Sequence, residues 1–201
     1  MEFKRKMKSD AFLVKEVLDF RMSGFLENEK DRPVKEVLGV EKIYEDKIPL
    51  AGKELNFKAK IDRIDRLQDD SCLILDYKTG VGDLMPLKVD RLNTMEFTRT
   101  SIKNTVKSLQ LPIYLFLFGK REKSADANAG LYNLRTPTRD SGIKLLFDPR
   151  EEAEQRTLKA DIFMKALEFI IFEILNPEVS FTADQEDVRA CAHCPFSYLC
   201  R

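Results

Sequence analysis

The spacing of apolar residues divides the chain into helical and extended segments. Residues 9 to 27 place Phe12, Leu13, Val17, Leu18 and Phe20 at mixed three- and four-residue intervals, which predicts an amphipathic helix. From Val40 to about Leu50 the pattern shortens, and "LAGKE" supplies a turn. "LNFKAKIDRIDRL" then alternates: Leu55, Phe57, Ala59 and Ile61 point one way, Asn56, Lys58, Lys60 and Asp62 the other, as in a half-buried strand. "QDDS" has turn chemistry, and "CLILDYK" is a short apolar strand. Residues 40 to 78 are therefore expected to form a three-stranded antiparallel meander.

Beyond a loop with Gly80, Gly82 and Pro86, helical spacing returns over 101 to 119, where Pro112 either kinks the helix or marks its first turn. "AGLYNLR" and "IKLLF" read as two further strands. Asp148-Pro149 is expected to cap a helix running to Leu175, with Leu158, Ile162, Met164, Leu167, Ile170, Ile171 and Ile174 as its apolar side and Pro177 beyond its end. The order α, βββ, α, ββ, α predicts an α/β fold, a mixed central sheet flanked by helices. With 201 residues and 43% hydrophobic content, one domain with one substantial core is expected, and residues 185–201 form a cysteine-rich tail.

Composition narrows the chemistry. No apolar run approaches the roughly 18 residues of a membrane span, and "EFKRKMKSDAFLV" lacks a signal-peptide core, so a cytoplasmic location is the default expectation. Lys plus Arg and Asp plus Glu both total 34, and a zero net charge neither suggests nor excludes nucleic acid. The single histidine, His193, excludes a Ser-His-Asp, Cys-His or multi-histidine site upstream. Hydrolytic chemistry there must use carboxylates, lysine, tyrosine or a thiol.

"LILDYKTG" is where an apolar strand abruptly turns ionic. With an odd-numbered connection such as Gln68 to Asp70, Asp62 and Asp76 face each other across the ladder. Cross-strand neighbours lie about 4.5–5.5 Å apart at Cβ, so the two carboxylates repel unless a cation sits between them. Mg²⁺ or Mn²⁺ suits a few carboxylate oxygens plus water. Period-two alternation puts Lys78 on the face of Asp76, where an ammonium can orient a water and stabilise negative charge. The same charges also read as a solvated hairpin end with an Asp62–Lys78 ion pair. The Asp-x-Lys step at the end of an apolar strand favours the metal reading. Asp65 is out of phase with Asp62 and reads as structural, since "IDRID" could pair Arg63 and Asp65 with a neighbouring strand.

These residues, "KAKIDRIDRL", "LILDYKTG" and then "SLQLPIYLF", resemble the PD-(D/E)XK nuclease superfamily, specifically its RecB/AddB-type helicase–nuclease branch. The resemblance implies a restriction-endonuclease-like core in which Asp62 and Asp76 bind the metal and Lys78 assists the attacking water. It also implies that Tyr77 lends its backbone carbonyl to the metal. Gln110 and Tyr114 match a Gln and Tyr one helical turn apart, where both could touch DNA or water. Two departures accompany it. Ala59 stands where a glycine is usual, and no histidine precedes the strands, which leaves Glu16 or Glu27 as substitutes.

Cys191-x2-Cys194-x5-Cys200 has metal-ligand spacing. The resemblance implies a [4Fe–4S] cluster completed by an upstream cysteine. The remaining cysteine, Cys72, sits in an apolar strand and reads as core. Zinc held by these cysteines and His193 is awkward because His193 lies inside the x2 loop. Both missing ligands are N-terminal, so the chain is expected to be the C-terminal part of a longer protein. The expected function is metal-dependent exonuclease-type hydrolysis of DNA within a helicase–nuclease that processes ends for recombinational repair. The alternatives are a catalytically inactive DNA-binding or scaffold module of the same fold and, more remotely, a redox or zinc protein built around the tail.

Overall fold

The computed structural model describes residues 9–80, 85, 89–122, 126–135, 142–182, 191–192 and 194–199. Strands β1 (Val34–Leu50) and β2 (Lys53–Leu67) form a long antiparallel hairpin closed at Ala51–Gly52. Both turn residues have positive φ, 50° and 73°, which two-residue hairpins require and glycine adopts without a Cβ penalty. β1 begins before the expected Val40. It slips register between Val34 and Glu36 and again between Val37 and Gly39, and Glu41 has φ 54°. Such irregularities increase local twist. They lie opposite the Ile61–Leu67 half of β2, the half that carries the acidic residues.

Strand β3 (Cys72–Lys78) pairs antiparallel with β2 in the register that the odd-numbered connection imposes: Arg63 opposes Leu75 and Asp65 opposes Leu73. The expected meander is present. β4 (Ala127–Asn133) then lies parallel to β3, and β5 (Ile143–Leu145) antiparallel to β4. The result is a mixed five-stranded sheet in the order β1-β2-β3-β4-β5. Gly130 on β4 permits the close approach of β5, because a Cβ there would stand 2.9 Å from Ile143 Cγ2 and 3.0 Å from the Lys144 carbonyl oxygen.

The helices depart from the sequence pattern in three places. The segment expected as one helix over 101–119 is two, α2 (Arg99–Val106) and α3 (Gln110–Glu122), separated at Lys107, whose φ is 46°. Thr98 caps α2 by accepting the Ser101 N–H at 3.2 Å. Pro112 falls in the first turn of α3, where a missing N–H leaves no helical bond unmade. Asp148-Pro149 caps a turn rather than the last helix, α4 (Ala153–Leu175). Asp148 accepts the backbone N–H of Arg150 at 2.9 Å and that of Glu151 at 3.0 Å. The Arg156 guanidinium holds the Pro149 carbonyl at 2.8 Å, which keeps this turn outside the helix.

Helix α1 (Ser9–Lys30) forms as the spacing predicts, but its apolar side chains are not buried: Phe12 is 55% and Phe20 68% exposed. They are distributed around the helix instead of along one stripe. Phe25, near its C-terminal end, packs against Tyr77 and Tyr132 of the sheet, with ring centroids 6.0 and 5.3 Å apart. On the other sheet face, α2, α3 and α4 enclose the main core, which includes Tyr44, Ile64, Ile74, Leu117, Phe118 and Phe163. The buried side of α4 centres on Phe163 and Ala166, while Leu158 and Ile174 are about half exposed. Among the described residues, no helix is long and apolar enough to cross a membrane.

Candidate active site

The two sheet faces separate two kinds of chemistry. Along β3, Cys72, Ile74, Asp76 and Lys78 share the face covered by α3, whereas Leu73, Leu75 and Tyr77 share the opposite face. Ile74 and Leu75 anchor the strand in the two cores, so its C-terminal end is held firmly where it becomes polar.

Strands β2 and β3 part at this end. Their last residue pair is Arg63 with Leu75, and beyond it the Tyr77 N–H donates to Asp62 Oδ2 at 2.8 Å rather than to a strand carbonyl. A strand residue directs its N–H and C=O to the same side. The Tyr77 carbonyl therefore also leaves β3 on the side of Asp62. On the other side of β3, the Lys78 carbonyl accepts the Leu134 N–H at 2.9 Å.

Asp76 is 4% exposed. Its Oδ1 accepts Gln110 Nε2 at 2.7 Å, and its Oδ2 stands 2.6 Å from Lys78 Nζ. That second contact is a short ion pair, and the ammonium is the partner that the buried Oδ2 meets. Gln110 is the first residue of α3. Its Oε1 accepts from Lys78 Nζ at 3.1 Å, and its Nε2 also approaches the Tyr114 hydroxyl at 2.8 Å. One amide thus ties Asp76, Lys78 and Tyr114 together. Lys78 pairs with Asp76 on its own strand, so the alternative Asp62–Lys78 ion pair is replaced by the Asp62 contact with the Tyr77 N–H.

Burial pushes the Asp76 carboxyl above the ordinary aspartate range, and the Asp62 charge adds to this against the opposing pull of Lys78 and Gln110. Burial likewise raises the Tyr114 phenol, and the charges of Asp76 and Asp62 raise it further. Two carboxylates and one ammonium leave an excess negative charge in a partly dry site. Asp62 and Asp76 offer carboxylate oxygens at the C-terminal end of β3, and the Tyr77 carbonyl leaves the strand on the side of Asp62. That set fits a small divalent cation with waters completing its shell.

The remaining candidates lie elsewhere. Glu16 and Glu27 are exposed on α1, and Glu27 pairs with Lys30 at 2.6 Å. Ala59 and Cys72 are buried in the core. Cys191 and Cys194 are half-buried, and a turn brings the Cys194 N–H to the Cys191 carbonyl at 3.3 Å. Cys200 and His193 lie outside the described residues. Among the described residues, no third cysteine, histidine, aspartate or glutamate gathers with either pair into a three-ligand metal group.

Asp65 is fully buried on the opposite face, as a structural reading requires, but its partners are not those of a simple strand pair. It meets Arg63 and Arg32, and both arginines meet Glu29. The i, i+2 spacing of Arg63 and Asp65 placed them on one face; nothing local in the sequence indicated Glu29 and Arg32.

The family model of the PD-(D/E)XK nuclease superfamily matches residues 4–201. No curated protein matches the chain. Among solved structures, one titled "Crystal structure of SSO0001" is similar at 17% identity, over 96% of this chain and 73% of that one, with a TM-score of 0.41.

Proposed function

The chain belongs to the PD-(D/E)XK nuclease superfamily, and from that premise we propose that it is a metal-dependent deoxyribonuclease whose centre is Asp62, Asp76 and Lys78. The observation that carries this reading is the convergence of two carboxylates and one ammonium where the C-terminal end of β3 parts from the middle of β2.

Asp62, Asp76 and the Tyr77 carbonyl would hold Mg²⁺ or Mn²⁺. When bound, the ion supplies Lewis-acid polarisation of the phosphate and lowers the pKa of water. Lys78 Nζ, beside Asp76 Oδ2 at 2.6 Å, would position the attacking water and offset charge developing on the phosphate oxygens. Gln110 keeps Lys78 and Asp76 in register through its two amide atoms, and Tyr114 orients Gln110. The N-terminus of α3 adds a positive dipole end beside the anionic substrate. No covalent enzyme intermediate is required.

The resemblance of "KAKIDRIDRL", "LILDYKTG" and "SLQLPIYLF" to the RecB/AddB branch supports a narrower role. In it the domain removes nucleotides from DNA ends delivered by an attached or partner helicase, in recombinational repair. The spacing of Cys191, Cys194 and Cys200 supports an iron–sulfur site in the complete assembly. The described residues supply no fourth ligand, because Cys72 is enclosed in the core.

The test is cleavage of single-stranded and duplex DNA by the purified chain with Mg²⁺ or Mn²⁺, against Asp76→Ala and Lys78→Ala. A fall of about 10²- to 10⁴-fold in either variant is expected. Undiminished cleavage in both would sink the assignment. A wild-type chain that cleaves no DNA and lacks a Mn²⁺ site that Asp62→Asn removes would instead support the inactive DNA-binding module.

A further inference from the structure

Behind the candidate centre, on the opposite sheet face, four side chains form a closed ring of alternating charge. Glu29 Oε1 meets Arg32 Nη1 at 2.9 Å, and Arg32 Nη2 meets Asp65 Oδ2 at 2.5 Å. Asp65 Oδ1 meets Arg63 Nε at 2.7 Å, and Arg63 Nη1 returns to Glu29 Oε2 at 2.6 Å. Exposure of these side chains runs from 0% at Asp65 and 5% at Arg32 to 15% at Arg63 and 17% at Glu29. Arg63 Nη1 also donates to the Tyr77 hydroxyl at 3.4 Å. The ring joins the end of α1 and the approach to β1 with the middle of β2, and through Tyr77 it touches β3.

Its position relative to the centre is specific. Arg63 follows Asp62 directly and forms the last residue pair of the β2–β3 ladder, with Leu75. Tyr77 lies between Asp76 and Lys78, and its N–H is the one that Asp62 accepts. β2 thus places Asp62 in the centre and Arg63 in the ring, and β3 places Asp76 and Lys78 in the centre and Tyr77 against the ring. Two guanidiniums and two carboxylates leave the ring neutral. Its planar forks fix direction as well as distance. Nothing in hydrolysis requires a neutral, buried, four-membered ion cluster on the far face, and such clusters add little net stability over apolar packing.

We propose that the Glu29–Arg32–Asp65–Arg63 ring is a positioning device that sets the separation of the C-terminal end of β3 from the middle of β2, and thereby the placement of Asp62 against Tyr77 and Asp76. Arg63 is clamped by two carboxylates and holds the Tyr77 side chain from behind while Asp62 holds the Tyr77 backbone in front. α1 becomes part of the site's support through Glu29, with Phe25 packed against the Tyr77 ring, although it contributes no group to the centre.

Two readouts test this, and only the second rests on the nuclease reading. Hydrogen exchange of the Tyr77 amide, referred to that of Ile74 in mid-strand, reports the Asp62–Tyr77 bond directly. Mn²⁺ affinity reports the assembled ligand set. Glu29→Gln, at the most exposed member of the ring, and Asp65→Asn are expected to speed Tyr77 exchange relative to Ile74. They are also expected to weaken Mn²⁺ binding by roughly tenfold, as the loss of an outer supporting group does. Tyr77→Phe removes only the hydroxyl that Arg63 reaches. It keeps the test available if a ring variant fails to fold, with the same shift expected at smaller amplitude. Folded variants with lower melting temperatures but unchanged Tyr77 exchange and unchanged Mn²⁺ affinity would overturn the proposal and leave the nuclease assignment standing. A wild-type chain that binds no Mn²⁺ would remove the nuclease reading, and the exchange measurement would still decide the ring's role.

Discussion

The carboxamide of Gln110 and the carboxylate of Asp76 are joined at 2.7 Å between α3 and β3, while the same carboxamide receives Lys78 at 3.1 Å. Helix and strand are far apart in sequence, and this one side chain couples the acid and the ammonium of the site.

Replacing Gln110 with leucine removes both bonds while keeping a helix-forming residue of similar size. Cleavage should fall about 10- to 100-fold, and the melting temperature should fall as well, because the buried Asp76 Oδ1 loses its hydrogen bond. Tyr114→Phe, which removes only the hydroxyl on Gln110, should cost less. Steady-state rates at saturating metal, compared with thermal melts, check both.

Lys78→Met should abolish turnover while keeping Mn²⁺ binding, because the acid ligands remain. Lys78→Arg should restore little, since a planar guanidinium cannot reproduce a compact ammonium beside Asp76. Retained turnover in Lys78→Met, with metal bound, would remove lysine from the mechanism.

The Asp76 carboxyl should titrate above the ordinary aspartate value of 3.8 in metal-free protein, first because it is buried. Lys78→Met should raise it further and Asp62→Asn should lower it, each followed by carboxyl-carbon NMR. The sign carries over to stability. A carboxyl with a raised folded pKa holds its proton more tightly when folded, so this group's destabilising effect above the folded pKa disappears as pH falls towards 3.8. Metal binding runs the other way and should be lost on acidification through the same raised value.

Glu29 behaves oppositely. Burial raises its pKa, but hydrogen bonds and charges from Arg32 and Arg63 outweigh this and hold it below 4.5. Its contribution to stability is present above 4.5 and is lost as pH falls through the lower folded value. Acid unfolding followed by circular dichroism should therefore show a smaller late loss of stability in Glu29→Gln than in wild type.

Gly130→Ala should destabilise the fold by about 1–3 kcal/mol, the usual penalty for inserting a methyl group into a filled contact. The added Cβ would meet the Lys144 carbonyl oxygen at 3.0 Å as well as Ile143 Cγ2 at 2.9 Å, so a side-chain rotation alone cannot relieve it. Urea denaturation measures the change. The Asp62–Asp76 arrangement should survive, because it sits on the other edge of β3.

Local pattern was sufficient for the meander, for the face shared by Ile74, Asp76 and Lys78, and for the hairpin register. These depend on the two-residue period of a strand and on the length of one connection, both readable along the chain. Helical spacing likewise placed Gln110 and Tyr114 one turn apart. The parting of β2 from β3 beyond Arg63, which lets Asp62 accept the Tyr77 N–H, followed from no periodicity; it shows only in the paired sheet. Local spacing also misjudged α1, whose Phe12 and Phe20 are exposed, and Asp148, whose turn is held out of α4 by Arg156. The ring around Asp65 joins residues more than thirty positions apart. Sequence alone determined which residues share the polar end of β3 and its facing helix turn as candidates, because residue type and strand phase are local properties. Only the tertiary structure decided what holds them in place, because a buried charge must find its partner wherever the packed chain brings one.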